Sequence, residues 1–308
     1  MKYKIGLSTS KLQIIYGDRE ALRLAKNLGV DAVDFFTNHH SIVNPDSIFS
    51  RSDDEIIAYF TELREYAKEL ELEIPQTHGR LRIYMNDPEE DIICLENARR
   101  DLLAASVLGA PVCVMHSVTT SVMGPNADPQ LMRDLCYEHF NKRLQWAKLY
   151  KVKLATETFG YCTRLECNEF FSNAIEFKNI FDRISADGDN SEYFTICVDT
   201  GHSHTSVRFG DPSVGDVIRM FGKDISCLHL HDNDGIYDQH KVPMTGTIDW
   251  EDVFDALDEI GYDGVYNLEV NLAVFGKGFE LETAEFSVKL LRFMLKQHQA
   301  KRSRVENG

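Results

Sequence analysis

Basic residues are scarce for the number of acids: 33 Lys and Arg stand against 49 Asp and Glu, a formal net charge of −16. A surface of that sign repels phosphate backbones and anionic bilayers, so neither nucleic acid nor membrane is expected as a partner. Long apolar runs are missing too. The longest, 104–115, is interrupted and too short to cross a bilayer, and the opening MKYKIGLSTS reads as a strand rather than a leader. The seven cysteines include no CxxC pair. An odd count, with Cys113, Cys197 and Cys227 inside apolar stretches, argues for buried free thiols in a reducing compartment. The expected setting is cytoplasmic and soluble. Also absent are a linker, a low-complexity segment and a glycine-rich first turn, since 8–12 reads Ser-Thr-Ser-Lys-Leu. The first two absences leave one domain over 1–308; the third disfavours an open doubly wound sheet.

What is present is an alternation of strands and helices. Apolar runs predict strands at 4–9, 32–36, 73–78, 112–116, 153–157, 194–199, 225–230 and 264–269. Helical periodicity predicts helices at 18–28, 53–70, 92–108, 129–150, 168–184, 214–221, 250–260 and 281–297. Ser52 and Glu55 have capping-box spacing, and Asp249 stands at an N-cap. Residues 301–308 read as a frayed tail. Strands joined by helices are parallel and need crossovers, and eight of them close a barrel at about this chain length. The expected fold is α/β, a single (β/α)8 TIM barrel.

Ligand-type side chains recur where these strands end. His78 closes the third strand, His116 the fourth and Glu157 the fifth. Asp199 closes the sixth, with His202 and His204 beyond it. His231 follows the seventh, with Asp238 and His240 further on, and Glu269 ends the eighth. In a barrel these ends converge on one mouth. Each residue alone has an ordinary explanation, as a hydrogen-bonded histidine or a loop-capping acid. Together, three carboxylates and several imidazoles call for a divalent cation as charge balance. Glu157, Asp199, His231 and Glu269 form an oxygen-rich set that suits Mn2+ first, with Mg2+, Co2+, Zn2+ and Fe2+ open. If His78, His116, His202 and His240 also ligate, the site is multinuclear and Zn2+ fits better. Asp238 and His240 mark where a further metal would sit. His229 is expected on the strand face opposite His231, as packing, while Asp232 and Asp234 orient the loop. His39, His40, His139 and His298 read as solvent or packing residues, and His204 as loop surface.

Five motifs carry a resemblance: Glu157-Thr158-Phe159-Gly160, Val198-Asp199-Thr200-Gly201-His202, His229-Leu230-His231-Asp232-Asn233-Asp234-Gly235, Asp238-Gln239-His240 through Gly246-Thr247-Ile248-Asp249-Trp250, and Leu268-Glu269-Val270. In that set and order, essentially the whole chain resembles the xylose isomerase-like barrel superfamily, in its branch of sugar and sugar-phosphate isomerases and epimerases. The similarity to ketose 3-epimerases implies one divalent ion held by Glu157, Asp199, His231 and Glu269. It also implies that the two glutamates double as acid and base and that His202 contacts a substrate hydroxyl, with His78, His116 and His240 as further substrate-binding candidates. The implied chemistry is a metal-stabilised enediolate with proton transfer between Glu157 and Glu269. The implied function is a divalent-metal-dependent isomerase or epimerase of a sugar or sugar derivative. Three positions depart from the family pattern. Thr158 stands where many relatives have Asn, Pro243-Met244-Thr245-Gly246 replaces Pro-Gly-x-Gly, and no Arg lies near Ile236 or Tyr237. A homo-oligomer is expected by analogy with relatives.

Other activities fit the same resemblance. C-glycoside-cleaving lyases acting on oxidised sugars share the enolisation step and work with a small partner subunit. Endonuclease-IV-type AP endonucleases use three zinc ions. Their ligand pattern falls on His78, His116, Glu157, Asp199, His202, His231, Asp238, His240 and Glu269. The charge of −16 and the lack of a basic, aromatic-interleaved strip weigh against DNA. A non-enzymatic sugar-binding barrel would leave such a polyanionic cluster without a purpose.

Overall fold

The computed structural model describes residues 3–306. Eight strands lie side by side: β1 (Lys4–Ser8), β2 (Ala32–Phe36), β3 (Glu73–His78), β4 (Val112–Met115), β5 (Lys153–Glu157), β6 (Phe194–Asp199), β7 (Ile225–His229) and β8 (Val265–Leu268). Every pairing among them is parallel, and the order follows the chain, with β8 beside β1. The two free edges meet at Leu230, just past β7. Its N–H donates to Asn267 O at 2.8 Å, and its carbonyl accepts from Glu269 N at 3.1 Å. The result is the expected barrel surrounded by helices.

Strands covered on both faces read as near-continuous apolar runs, and β4 and β6 are buried at every position. Outward side chains such as Leu7, Phe35, Leu154, Val198 and Leu228 pack under the helices in the main core. The inward side chains Val112, Val114, Ala155, Cys197 and Cys227 form a separate small cluster. Close approach is needed here as well. A Cβ on Gly6 would come within 2.7 Å of Asn267 Oδ1 and Val265 Cγ1. The strand period of two then sets the next inward layer. Ala155 is followed by Glu157, Cys197 by Asp199 and Cys227 by His229. An apolar floor thus gives way, one pleat further on, to a charged mouth.

Helix starts follow their caps. Ser52 and Glu55 form the reciprocal capping box, and Asp249 accepts from Glu251 N and Asp252 N. Several features differ from expectation. Ser10–Tyr16 and Thr200–Ser206 are helical. The helix expected from residue 168 begins at Ala174, where Asn173 caps it. The last helix runs Glu280–Glu306, so residues 301–306 are helical rather than frayed. Ion pairs of Lys301 with Glu251 and of Arg302 with Asp258 tie that end to the helix Trp250–Glu259. The rest of the expected tail, 307–308, lies outside the described residues. No helix among the described residues is long and apolar enough to cross a membrane.

Candidate metal centre at the barrel mouth

Glu157, the last residue of β5, is fully buried under imidazoles. Its Oε2 lies 3.1 Å from His78 Nε2 and 2.9 Å from His116 Nε2, and its Oε1 lies 2.9 Å from His229 Nδ1. Burial alone would raise its pKa, but the charges on His229 and His116 outweigh burial and hold the carboxyl well below the usual range. His229 is the hinge of this group. Its Nδ1 is also 3.2 Å from Glu269 Oε2, while its Nε2 is 2.9 Å from Asp34 Oδ2. Burial opposes a proton on this ring, yet Glu269 and Glu157 push its pKa well up. One donor atom from each of Glu157, Asp199, His229 and Glu269 lies within 4.8 Å of all the others.

A second donor group, His202, His231, Asp238 and His240, adjoins the first with the same 4.8 Å spread. Asp199 links the two. It caps the helix Thr200–Ser206, accepting His202 N at 2.6 Å, and its Oδ1 lies 2.9 Å from His231 Nε2. Backbone carbonyls fix two of the rings. His202 Nδ1 donates to Thr158 O at 2.8 Å, and His240 Nδ1 donates to Glu269 O at 2.9 Å. Each therefore turns its Nε2 toward Asp238 Oδ2, 3.3 Å away in both cases. Against the burial penalty, Asp238 pushes His240 up to about 10 and, after Asp199, raises His202. His231 and His240 stack at 3.8 Å. A Cβ on Gly201 would lie 1.9 Å from His231 Cε1, so this ring depends on the glycine of the Asp199-Thr200-Gly201-His202 motif. His240 holds φ 46° and Met244, where the family pattern has Gly, holds φ 67°. Both are left-handed conformations that cost a non-glycine residue energy.

The structure brings together every expected site residue at the mouth, and it corrects the expected facing of one histidine. Residues two apart on a strand share a face, so His229 is not opposite His231. It is His229 that joins Glu157, Asp199 and Glu269, whereas His231 joins the outer group. Asp34, inside the apolar run of β2, escaped the sequence reading, although an acid in a buried strand was its signal. Asp232 does orient the loop: its Oδ2 accepts Trp250 Nε1 at 2.9 Å, and its Oδ1 accepts Asn233 N and Ile248 N. Asp234 Oδ1 accepts Ile236 N and Tyr237 N. His204 bonds Thr247 Oγ1 at 2.8 Å from within a helix, and His40 is packed against Asp18.

These donors fit a divalent cation. The inner group offers three carboxylates and an imidazole that Asp34 braces from behind. His78 Nδ1, Asp34 Oδ1 and Asp238 Oδ1 are buried with no hydrogen-bond partner. A cavity of about 290 Å3 opens at Asp238, lined also by Ser10, Lys11, His240, Glu269 and Asn271 among others.

Residues 22–292 match the family described as the xylose isomerase-like TIM barrel. A Sinorhizobium fredii protein, y4fM, is 26% identical over 172 residues, 56% of this chain, and the match spans half (50%) of that curated relative's length. Among solved structures, a D-tagatose 3-epimerase-like protein is similar with a TM-score of 0.72 and 21% identity, covering 97% of this chain and 99% of its own. IolI protein with a binding zinc atom is similar with a TM-score of 0.68 and 17% identity, covering 97% of this chain and 98% of its own. At these identities the two structures share the fold.

Proposed function

Given that this chain belongs to the xylose isomerase-like TIM barrel family, we propose that it is a divalent-metal-dependent isomerase or epimerase of a sugar or sugar derivative. The observation that carries the reading is the inner donor group, with Glu157, Asp199, His229 and Glu269 inside 4.8 Å. These four would hold the ion, His229 taking the place that the sequence reading gave to His231. When bound, a divalent cation supplies Lewis-acid polarisation of a substrate carbonyl and its neighbouring hydroxyl. The oxygen-rich inner set favours Mn2+, and the surrounding imidazoles favour Zn2+.

The chain's own residues move the proton. Glu157 from β5 and Glu269 from the end of β8 flank His229 Nδ1 at 2.9 and 3.2 Å. A C–H beside a carbonyl, held between them, loses its proton to one carboxylate and regains one from the other. Return on the opposite face epimerises the carbon; return on the neighbouring carbon isomerises the sugar. Glu157, sealed and held ionised by its imidazoles, is a base at neutral pH. Glu269 keeps 16% of its side chain exposed and lines the cavity, so it is the carboxylate that exchanges protons with solvent. The test is solvent deuterium exchange into a panel of free and phosphorylated ketoses, followed by NMR with Mn2+ supplied. Exchange is expected in the wild type and lost in Glu157→Gln and Glu269→Gln. Undiminished exchange in both variants sinks the reading.

The outer donors favour a second reading, a three-zinc phosphoester hydrolase of the endonuclease-IV type. His78, His116 and Glu157 make one potential ion site, the inner group another, and His202, Asp238 and His240 a third. The net charge of −16 weighs against a DNA substrate. Three zinc ions per chain together with cleavage at abasic sites would replace the isomerase reading.

A further inference from the structure

The C-terminal helix Glu280–Glu306 buries one face and leaves the other bare. Ala284, Val288, Leu291, Met294 and Leu295 pack inward. On the outer side Phe286 is 48% exposed and Phe293 56%, and Phe279, just before the helix, is 48% exposed. A single exposed apolar residue is ordinary, but three phenylalanines at intervals of seven form a stripe. Seven residues are close to two helical turns, so Phe286 and Phe293 align, exposed Ala300 continues the line, and Phe279 stands at its start. The charges beside the stripe are segregated. Glu282 and Glu285 lie near the start of the helix, and Lys289, Arg292 and Lys296 lie further along. Some are already engaged within the chain: Lys289 pairs with Glu285 at 2.7 Å, and Arg292 donates to Gly29 O at 2.7 Å.

This pattern is complementary to itself when the helix is laid antiparallel on a second copy. A two-fold axis between Lys289 and Leu290 sets Phe286 opposite Phe293 of the second copy. The same axis sets Phe279 opposite Ala300, large against small. It also brings Glu282 to the turn that carries Lys296 of the second copy, acid against base. A parallel arrangement would instead set acid against acid and base against base. A groove of about 510 Å3 beside Phe293, lined by Met244, Trp250 and Phe254, extends the apolar patch and gives the opposing Phe286 a seat. We propose that the chain forms a two-fold homodimer through antiparallel packing of the helix Glu280–Glu306, anchored by Phe279, Phe286 and Phe293. An isologous contact of this kind closes on itself and stops at two copies.

Sedimentation of the full chain at micromolar concentration tests the proposal. The wild type is expected at twice the 35.2 kDa chain mass, and the double variant Phe286→Glu, Phe293→Glu at the single-chain mass. Both replaced side chains are exposed, so the far-UV circular dichroism spectrum stays as in the wild type. Charge reversal fixes the orientation. Glu282→Lys and Lys296→Glu each weaken the dimer by roughly tenfold, and the two together restore it. A monomeric wild type, or a dimer that survives the Phe→Glu pair, overturns the proposal. Should that pair fail to fold, a dimer indifferent to both single reversals overturns it as well. None of these residues touches the mouth, so the outcome is independent of the proposed reaction.

Discussion

The two donor groups at the mouth are built differently. Glu157, Asp199 and His229 are the last residues of their strands, fully buried and locked by strand ladders. Asp238 and His240, by contrast, sit in the loop beyond β7 with 27% of each side chain exposed, and His240 is held at φ 46°. Side chains on a barrel strand cannot move without the barrel, whereas loop residues can be re-aimed cheaply. On the proposed reading, the strand-end donors would be the fixed part, where an ion and a proton-transfer residue must keep their spacing, and the loop-borne Asp238 and His240 the adjustable part, where substrate fit would be set.

Substitutions can break that division of labour. Glu157→Gln is expected to cost roughly 10^2–10^4 in exchange rate and to strip the inner ion, read by NMR exchange and metal analysis. Asp238→Asn is expected to cost only about tenfold and to keep that ion; a loss as large as that of Glu157→Gln would erase the distinction. Chelation gives the next effect. An ion present at about 100 times its Kd stabilises the fold by about 2.7 kcal/mol, several degrees of melting temperature in a chain of this size. The shift should vanish in His229→Gln and persist in Asp238→Asn when both are melted with and without chelator. Asp34→Asn should weaken metal binding by roughly 10–100-fold in a competition titration, because His229 loses the partner that fixes its ring.

One further effect lies outside both groups and serves as their control. His139 is buried in the helix Pro129–Tyr150, against the Tyr84 ring at 4.8 Å. Burial first, then Arg143 and Lys142, push its pKa down to about 4. The unfolded chain takes up that proton near pH 6.5 while the folded chain refuses it. Stability should therefore fall as pH drops from about 6.5 toward 4, and level off below. Chemical denaturation across that range should show a flatter profile in His139→Asn.

The barrel was legible because strands buried on both faces leave apolar runs, and six of the eight runs here end in or just before a ligand-type residue. Asp34 was hidden by the same rule. Within Ala32-Val33-Asp34-Phe35-Phe36 it reads as an interruption of a strand, and only pairing across the barrel to His229 gives it a role. Expecting His229 on the face opposite His231 misjudged a pleat, since residues two apart point the same way. The helix Thr200–Ser206 was missed because Thr, Gly, Ser and His have poor helix propensity; Asp199, read as a ligand, is also its N-cap. The end of the last helix was missed because its anchors, Glu251 and Asp258, lie on another helix.

The closure of the barrel has a mechanical consequence. Seven strand junctions are ladders of three or four residue pairs, whereas β7 and β8 are joined by the single bridge Leu230–Leu268. That seam is the joint with the fewest fasteners, and His229 and His231 stand on one side of it with Glu269 on the other. Parting the seam by one bridge would separate His229 from Glu269 and dismantle the inner group at once. Conversely, residues gripping a shared ion from both sides act as a rivet through the weakest stave of the cask. Hydrogen exchange at the Leu230 and Glu269 amides then becomes a gauge of occupancy, fast in the open ring and slowed when it is clasped.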